Sequence, residues 1–84
     1  MTTLTLYTKE DCHLCEEARL VLDRVRTEIP FAFEEVFIVE GDEYFTKYHD
    51  AVPVVTINGV FTFKYRVNER RLRELLSAAD RAAG

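Results

Sequence analysis

The chain predicts an α/β domain in which a mixed four-stranded sheet carries helices on both faces, in the order β-α-β-α-β-β-α. Three observations lead there. A short β-rich run, an amphipathic helical stripe and a second β-rich run follow one another, as in a parallel right-handed crossover. Asn58-Gly59 then joins two further apolar runs, the signature of an antiparallel hairpin. Finally, 84 residues with 48% apolar and 31% charged side chains suit one small folded domain over 1–84 rather than a disordered chain.

Each element has its own reason. Thr3 to Thr8 alternates Thr5 and Tyr7 with Leu4 and Leu6 and stops at the polar Lys9-Glu10-Asp11. A helix opens at Asp11 or Cys12, with Glu16 and Glu17 in its first turns and Arg24 and Arg26 in its last. Cys15, Ala18, Leu22 and Val25 recur at helical spacing, flanked by Val21, and form the face turned to the core. Pro30 separates this helix from the run Phe31 to Val39, and Gly41-Asp42 opens a short helix carrying Tyr44, Phe45 and Tyr48. Val52 to Ile57 is nearly continuous in apolar, β-branched residues, as in a strand covered on both faces. Val60 to Tyr65 returns from the turn, and Asn68 caps a last helix bearing Leu72, Leu75, Leu76 and Ala79. The runs at 4–7 and 52–57 are the most apolar, so they are expected at the centre of the sheet.

Charge and cysteine count narrow the function. The net charge is −4, distributed as 5 basic and 12 acidic residues over 1–50 and 6 basic and 3 acidic over 51–84. Arg66, Arg70, Arg71, Arg73 and Arg81 read as the wet face of one helix, so no nucleic-acid partner is expected. No basic leader or long apolar run is present, so no membrane association is expected and a cytoplasmic monomer is the default. Two cysteines make at most one disulfide; in a reducing compartment such a pair is more often redox-active or metal-binding than structural.

Cys12-His13-Leu14-Cys15 stands where the first strand hands over to the first helix. There the unpaired N–H groups and the positive dipole end favour an anion, so Cys12 is expected to ionise readily and act as nucleophile. Cys15 lies one turn on, within the core stripe, and suits the resolving role. Zinc would need two more ligands, and only His13 and His49 offer themselves at unsuitable spacing. No metal or other cofactor is therefore expected.

At these residues the chain resembles the glutaredoxins of the thioredoxin-fold superfamily. Leu6-Tyr7-Thr8-Lys9 before Cys12-x-x-Cys15, then Val52-Pro53 and Ile57-Asn58-Gly59, carry the likeness over nearly the whole chain. Cys12-His13-Leu14-Cys15-Glu16-Glu17-Ala18 is similar to a small bacterial glutaredoxin-like group. The resemblance implies thiol–disulfide exchange, with Lys9 and His13 tuning Cys12. It also implies a cis Val52-Pro53 bond that exposes the Val52 backbone to a substrate strand; a cis X–Pro bond costs only about 0.5–1 kcal/mol.

The sequence departs from that family at four places. His13-Leu14 replaces Pro-aromatic, Ala51 replaces a threonine, and Phe63-Lys64 replaces a glycine pair, where a phenylalanine would obstruct glutathione. Glu10, Asp11, Glu16 and Glu17 surround the thiols with charge that opposes an anionic tripeptide. The expected substrate is thus a disulfide-bearing protein or a small thiol, with a protein reductant favoured over glutathione. Two alternatives remain: a metal or iron–sulfur cluster shared between two copies through Cys12, and a binding module without redox turnover.

Overall fold

The computed structural model describes the backbone of residues 2–83 and the side chains of residues 2–79. The side chain of Arg81 lies outside the described residues. Seven elements follow one another: β1 (Thr3–Thr8), α1 (His13–Glu28), β2 (Ala32–Phe37), α2 (Glu43–Tyr48), β3 (Val54–Ile57), β4 (Val60–Lys64) and α3 (Glu69–Ala83). The sheet order is β2-β1-β3-β4, with β1 and β2 parallel and the other pairs antiparallel. The two most apolar runs, β1 and β3, occupy the centre as expected.

The sheet separates two apolar layers. On one face Leu4, Leu6, Val55 and Ile57 pack against Ala18, Leu22 and Val25 of α1 and Leu72 and Leu76 of α3, with Phe31 closing the end. On the other, Val54 meets Tyr48 of α2, Ile38, Val52 and Cys15, with Tyr7, Val36 and Phe45 partly buried beside them. The stripe read from the sequence is the buried face of α1, residue for residue. Leu75 of α3 is only partly buried, and Leu20 of α1 is exposed.

Local chemistry sets the boundaries. Asp42 caps α2 by accepting from the Tyr44 N–H at 2.9 Å, and Asn68 caps α3 by accepting from the Arg71 N–H at 2.9 Å. Asn58 and Gly59 take φ of 51° and 83°, the positive pair a type I′ turn requires. The Asn58 side-chain oxygen accepts from the Thr3 N–H at 2.9 Å, and the Asn58 N–H donates back to the Thr3 carbonyl at 2.7 Å, pinning the hairpin to β1.

Three expectations are corrected. The strand predicted from Val52 begins at Val54, because Val52-Pro53 forms the turn ahead of it and the Val52 N–H bonds to the Tyr48 carbonyl at 3.1 Å. Arg66 falls in the loop before α3 rather than on it, and pairs with Glu17 of α1 at 3.3 Å. Phe63 does not turn toward the cysteines. It pairs with Val55, whose side chain faces α1 and α3, and strand alternation carries Phe63 into that core.

Candidate functional site

The site is built where β1 ends. Asp11, at a φ of 57°, turns the chain so that Cys12 becomes the N-cap of α1. The Sγ of Cys12 accepts the Cys15 backbone N–H at 3.2 Å, the contact that a serine or aspartate oxygen makes at other helix starts. Sulfur thereby sits where first-turn N–H groups and the helix dipole favour negative charge. Cys12 and Cys15 are joined in a disulfide with their Cα atoms 5.2 Å apart. The two sulfurs have unequal surroundings: Cys12 is partly exposed, whereas Cys15 is 2% exposed within the cluster of Ile38, Tyr48, Val52 and Val54.

The structure brings Val52 to the same cluster, and the Val52-Pro53 peptide bond is cis, the isomer the resemblance implies. Both residues are buried. With its N–H held by Tyr48, Val52 keeps only its carbonyl for a substrate strand, which revises the expectation of a free backbone.

The two tuning candidates lie differently. Lys9 donates from Nζ to the His49 carbonyl at 3.1 Å, so its charge is held at the C-terminus of α2 and ties that helix to the β1–α1 loop. His13 is exposed, with Nδ1 4.0 Å from Glu16 and Nε2 3.7 Å from Glu17. Its imidazole therefore meets carboxylates of its own helix in water, where pairing is weak. Among the described residues no three His, Cys, Asp or Glu side chains converge as metal ligands.

Sequence reasoning missed Tyr65. This residue follows β4 with a φ of 66°, in the left-handed region an aromatic residue rarely enters. Its N–H donates to the Ala51 carbonyl at 3.2 Å and the Pro53 carbonyl at 2.9 Å, so it clasps the cis-proline turn from both sides. Its half-exposed ring, with Leu14 and Arg66, lines a hollow of about 150 Å³ beside the start of α1. The Lys64 ammonium lies 5.4 Å from the ring centroid. A glycine or asparagine would have marked this position in the sequence; a tyrosine does not.

A second concavity, of about 590 Å³, opens between the β1–α1 and β2–α2 loops, walled by Phe37, Ile38, Val39 and Phe45. No helix among the described residues is long and apolar enough to cross a membrane.

Sheet order, the cysteine pair at a helix start and the cis-proline turn together define a thioredoxin fold. Known thioredoxins superpose accordingly: that of Halobacterium salinarum has a TM-score of 0.67 at 16% identity, covering 92% of this chain and 73% of its own. The glutaredoxin-like domain model (DUF836) matches residues 3–77, and the chain belongs to this glutaredoxin-like family. It is 31% identical over 75 residues to a Dictyostelium discoideum protein described as a glutaredoxin-like YDR286C homolog, covering 82% of this chain and 69% of that one. Among solved structures, XcR50 from X. campestris shares 35% identity with a TM-score of 0.73, covering 89% of this chain and 96% of that one. Ne2328 from Nitrosomonas europaea shares 26% identity with a TM-score of 0.74, covering 84% and 86%.

Proposed function

We propose that the protein is a thiol–disulfide oxidoreductase in which Cys12 attacks and Cys15 resolves. The observation that carries this reading is the unequal pair: a partly exposed sulfur capping α1, bonded to one buried in the core. In the reduced protein the Cys12 thiolate attacks one sulfur of a substrate disulfide and the other sulfur leaves as a thiolate, which takes up a proton. The Cys15 thiolate then attacks Cys12 Sγ, releasing the second substrate thiol and forming the disulfide seen here. Two electrons have passed to the substrate, and either a dithiol or two monothiols must return them.

The acidic surroundings favour a protein dithiol over glutathione as that reductant. Glu10, Asp11 and Glu16 are exposed around Cys12, and glutathione is anionic. The obstruction expected from Phe63 does not support this preference, since that ring faces the core.

The test is reduction of a protein disulfide such as insulin's, driven by a dithiol reductase system without thioredoxin (thioredoxin reductase and NADPH) or by glutathione. The wild type is expected to turn over with the protein system, and Cys12→Ser to lose all turnover. Cys15→Ser should accumulate a mixed disulfide through Cys12, visible as an added mass that dithiothreitol removes. Absence of turnover with both reductants, together with no trapped adduct, would overturn the reading. Faster turnover with glutathione would overturn the reductant preference alone.

A further inference from the structure

We propose that the 590 Å³ groove between the β1–α1 and β2–α2 loops docks an extended segment of a partner protein, one that presents an apolar side chain beside a lysine or arginine. The proposal deepens the disulfide-exchange reading and rests on it for the partner's being a substrate.

Three features converge on the groove. The first is position: it lies beyond the carboxyl ends of the parallel β1–β2 pair, where open α/β sheets characteristically bind ligands. Two of its walls, Ile38 and Phe45, belong to the same side-chain cluster as Cys12 and Cys15, so an occupant would lie against the redox pair's own packing. The second is exposed apolar surface. Ile38 turns inward, while Phe37 and Val39 on either side are 56% and 61% exposed. Large apolar side chains grouped at a concavity mark a binding surface more than a scatter of single ones does. As β2 is an edge strand, an extended segment also finds backbone groups beside it.

The third feature is charge, and it selects the occupant. Glu10 and Glu40 stand on the rim, both exposed. Among the described residues neither has a cationic partner within 4.0 Å. Lys9, the lining cation, is drawn to the His49 carbonyl. Asp11, Asp42 and Glu43 add negative charge in the flanking segments, and Lys47 leans over the Tyr48 ring instead. An apolar floor under unpaired carboxylates fits an apolar side chain flanked by cations and repels an acidic peptide.

The chain contains no tryptophan, so a tryptophan-bearing peptide reports binding by its own emission. The probe is a cysteine-free peptide with leucine and tryptophan between two arginines, compared with its glutamate-flanked counterpart. The arginine peptide is expected to shift its emission to the blue and to bind about tenfold more tightly than the glutamate peptide. Val39→Ser, which removes apolar surface at a 61% exposed position without adding charge, should weaken it about tenfold as well. Glu10→Lys with Glu40→Lys should reverse the preference between the peptides. Equal binding of the two peptides, or no effect of Val39→Ser, overturns the proposal.

Cysteine-bearing versions of both peptides, offered to Cys15→Ser as mixed disulfides with a small thiol, separate the two claims. If both are captured at the same rate, docking fails and exchange stands. If the arginine peptide binds the groove but neither is captured, exchange fails and docking stands.

Discussion

Tyr65 shows what one residue can hide. A non-glycine residue in the left-handed region costs roughly 1–2 kcal/mol, and the hydrogen bonds from its N–H to Ala51 and Pro53 hold it there. Because the strain belongs to the backbone, Tyr65→Ala keeps it and loses the ring, whereas Tyr65→Gly loses both. The glycine variant should therefore be more stable than the alanine variant by about 1 kcal/mol in urea unfolding, inverting the usual order. If alanine proves the more stable, the positive φ is not a constraint on the fold. Residue scale is also where the sequence was least legible. Cys12 and Cys15 are marked by their spacing, but Phe63 stands in the sequence where the family's glycine pair admits glutathione, and only its pairing with Val55 places it in the core. Lys9 looked like a partner of Cys12, yet hydrogen-bonds to a carbonyl 40 positions away, and nothing local encodes such a contact.

At the scale of elements the sequence was far more legible, because an element is specified by periodicity and caps that repeat over many residues. The α1 stripe, the Asn58-Gly59 turn and the Asp42 and Asn68 caps are all visible in the chain as written. What the sequence did not disclose is how α2 closes over the sheet. Tyr44 and Tyr48 stack with centroids 6.2 Å apart, and Tyr7 of β1 lies 5.2 and 5.0 Å from them. Burial, with the neighbouring Tyr44 and Tyr48, raises the Tyr7 hydroxyl's pKa above the ordinary 10.0. The folded protein thus keeps this proton to higher pH than the unfolded chain does. Stability from it is complete below pH 10 and declines above it, as the unfolded chain ionises first. Unfolding measured between pH 9 and 11 should fall less steeply for Tyr7→Phe than for the wild type. Identical slopes would show that Tyr7 does not contribute.

Over the whole molecule the two apolar layers are unequal, and the site belongs to the smaller. Among the described residues, ten buried ones fill the α1–α3 side and five, Cys15 among them, fill the α2 side. Ion pairs add to the imbalance. Arg24 of α1 reaches Glu69 of α3 at 2.8 Å, and Arg73 of α3 pairs with Glu28 of α1, so the two helices exchange ion pairs of both polarities. Such exposed pairs contribute little each, at most about 1 kcal/mol, so the difference in burial dominates. The α2 layer, which supplies the groove wall Phe45 and the Tyr48 carbonyl that holds Val52, should then open without global unfolding. Hydrogen exchange tests this directly. Amides of α2 should exchange with a smaller free energy than those of Leu6, Val55 and Leu72. Leu22→Ala, which empties part of the larger layer, should cost about 2–5 kcal/mol of global stability while leaving α2 exchange unchanged. Equal loss at α2 and at β1 would mean that the layers open together. Separate loss would place the proposed redox pair and groove on the part of the fold that yields first, where a partner's approach meets least resistance.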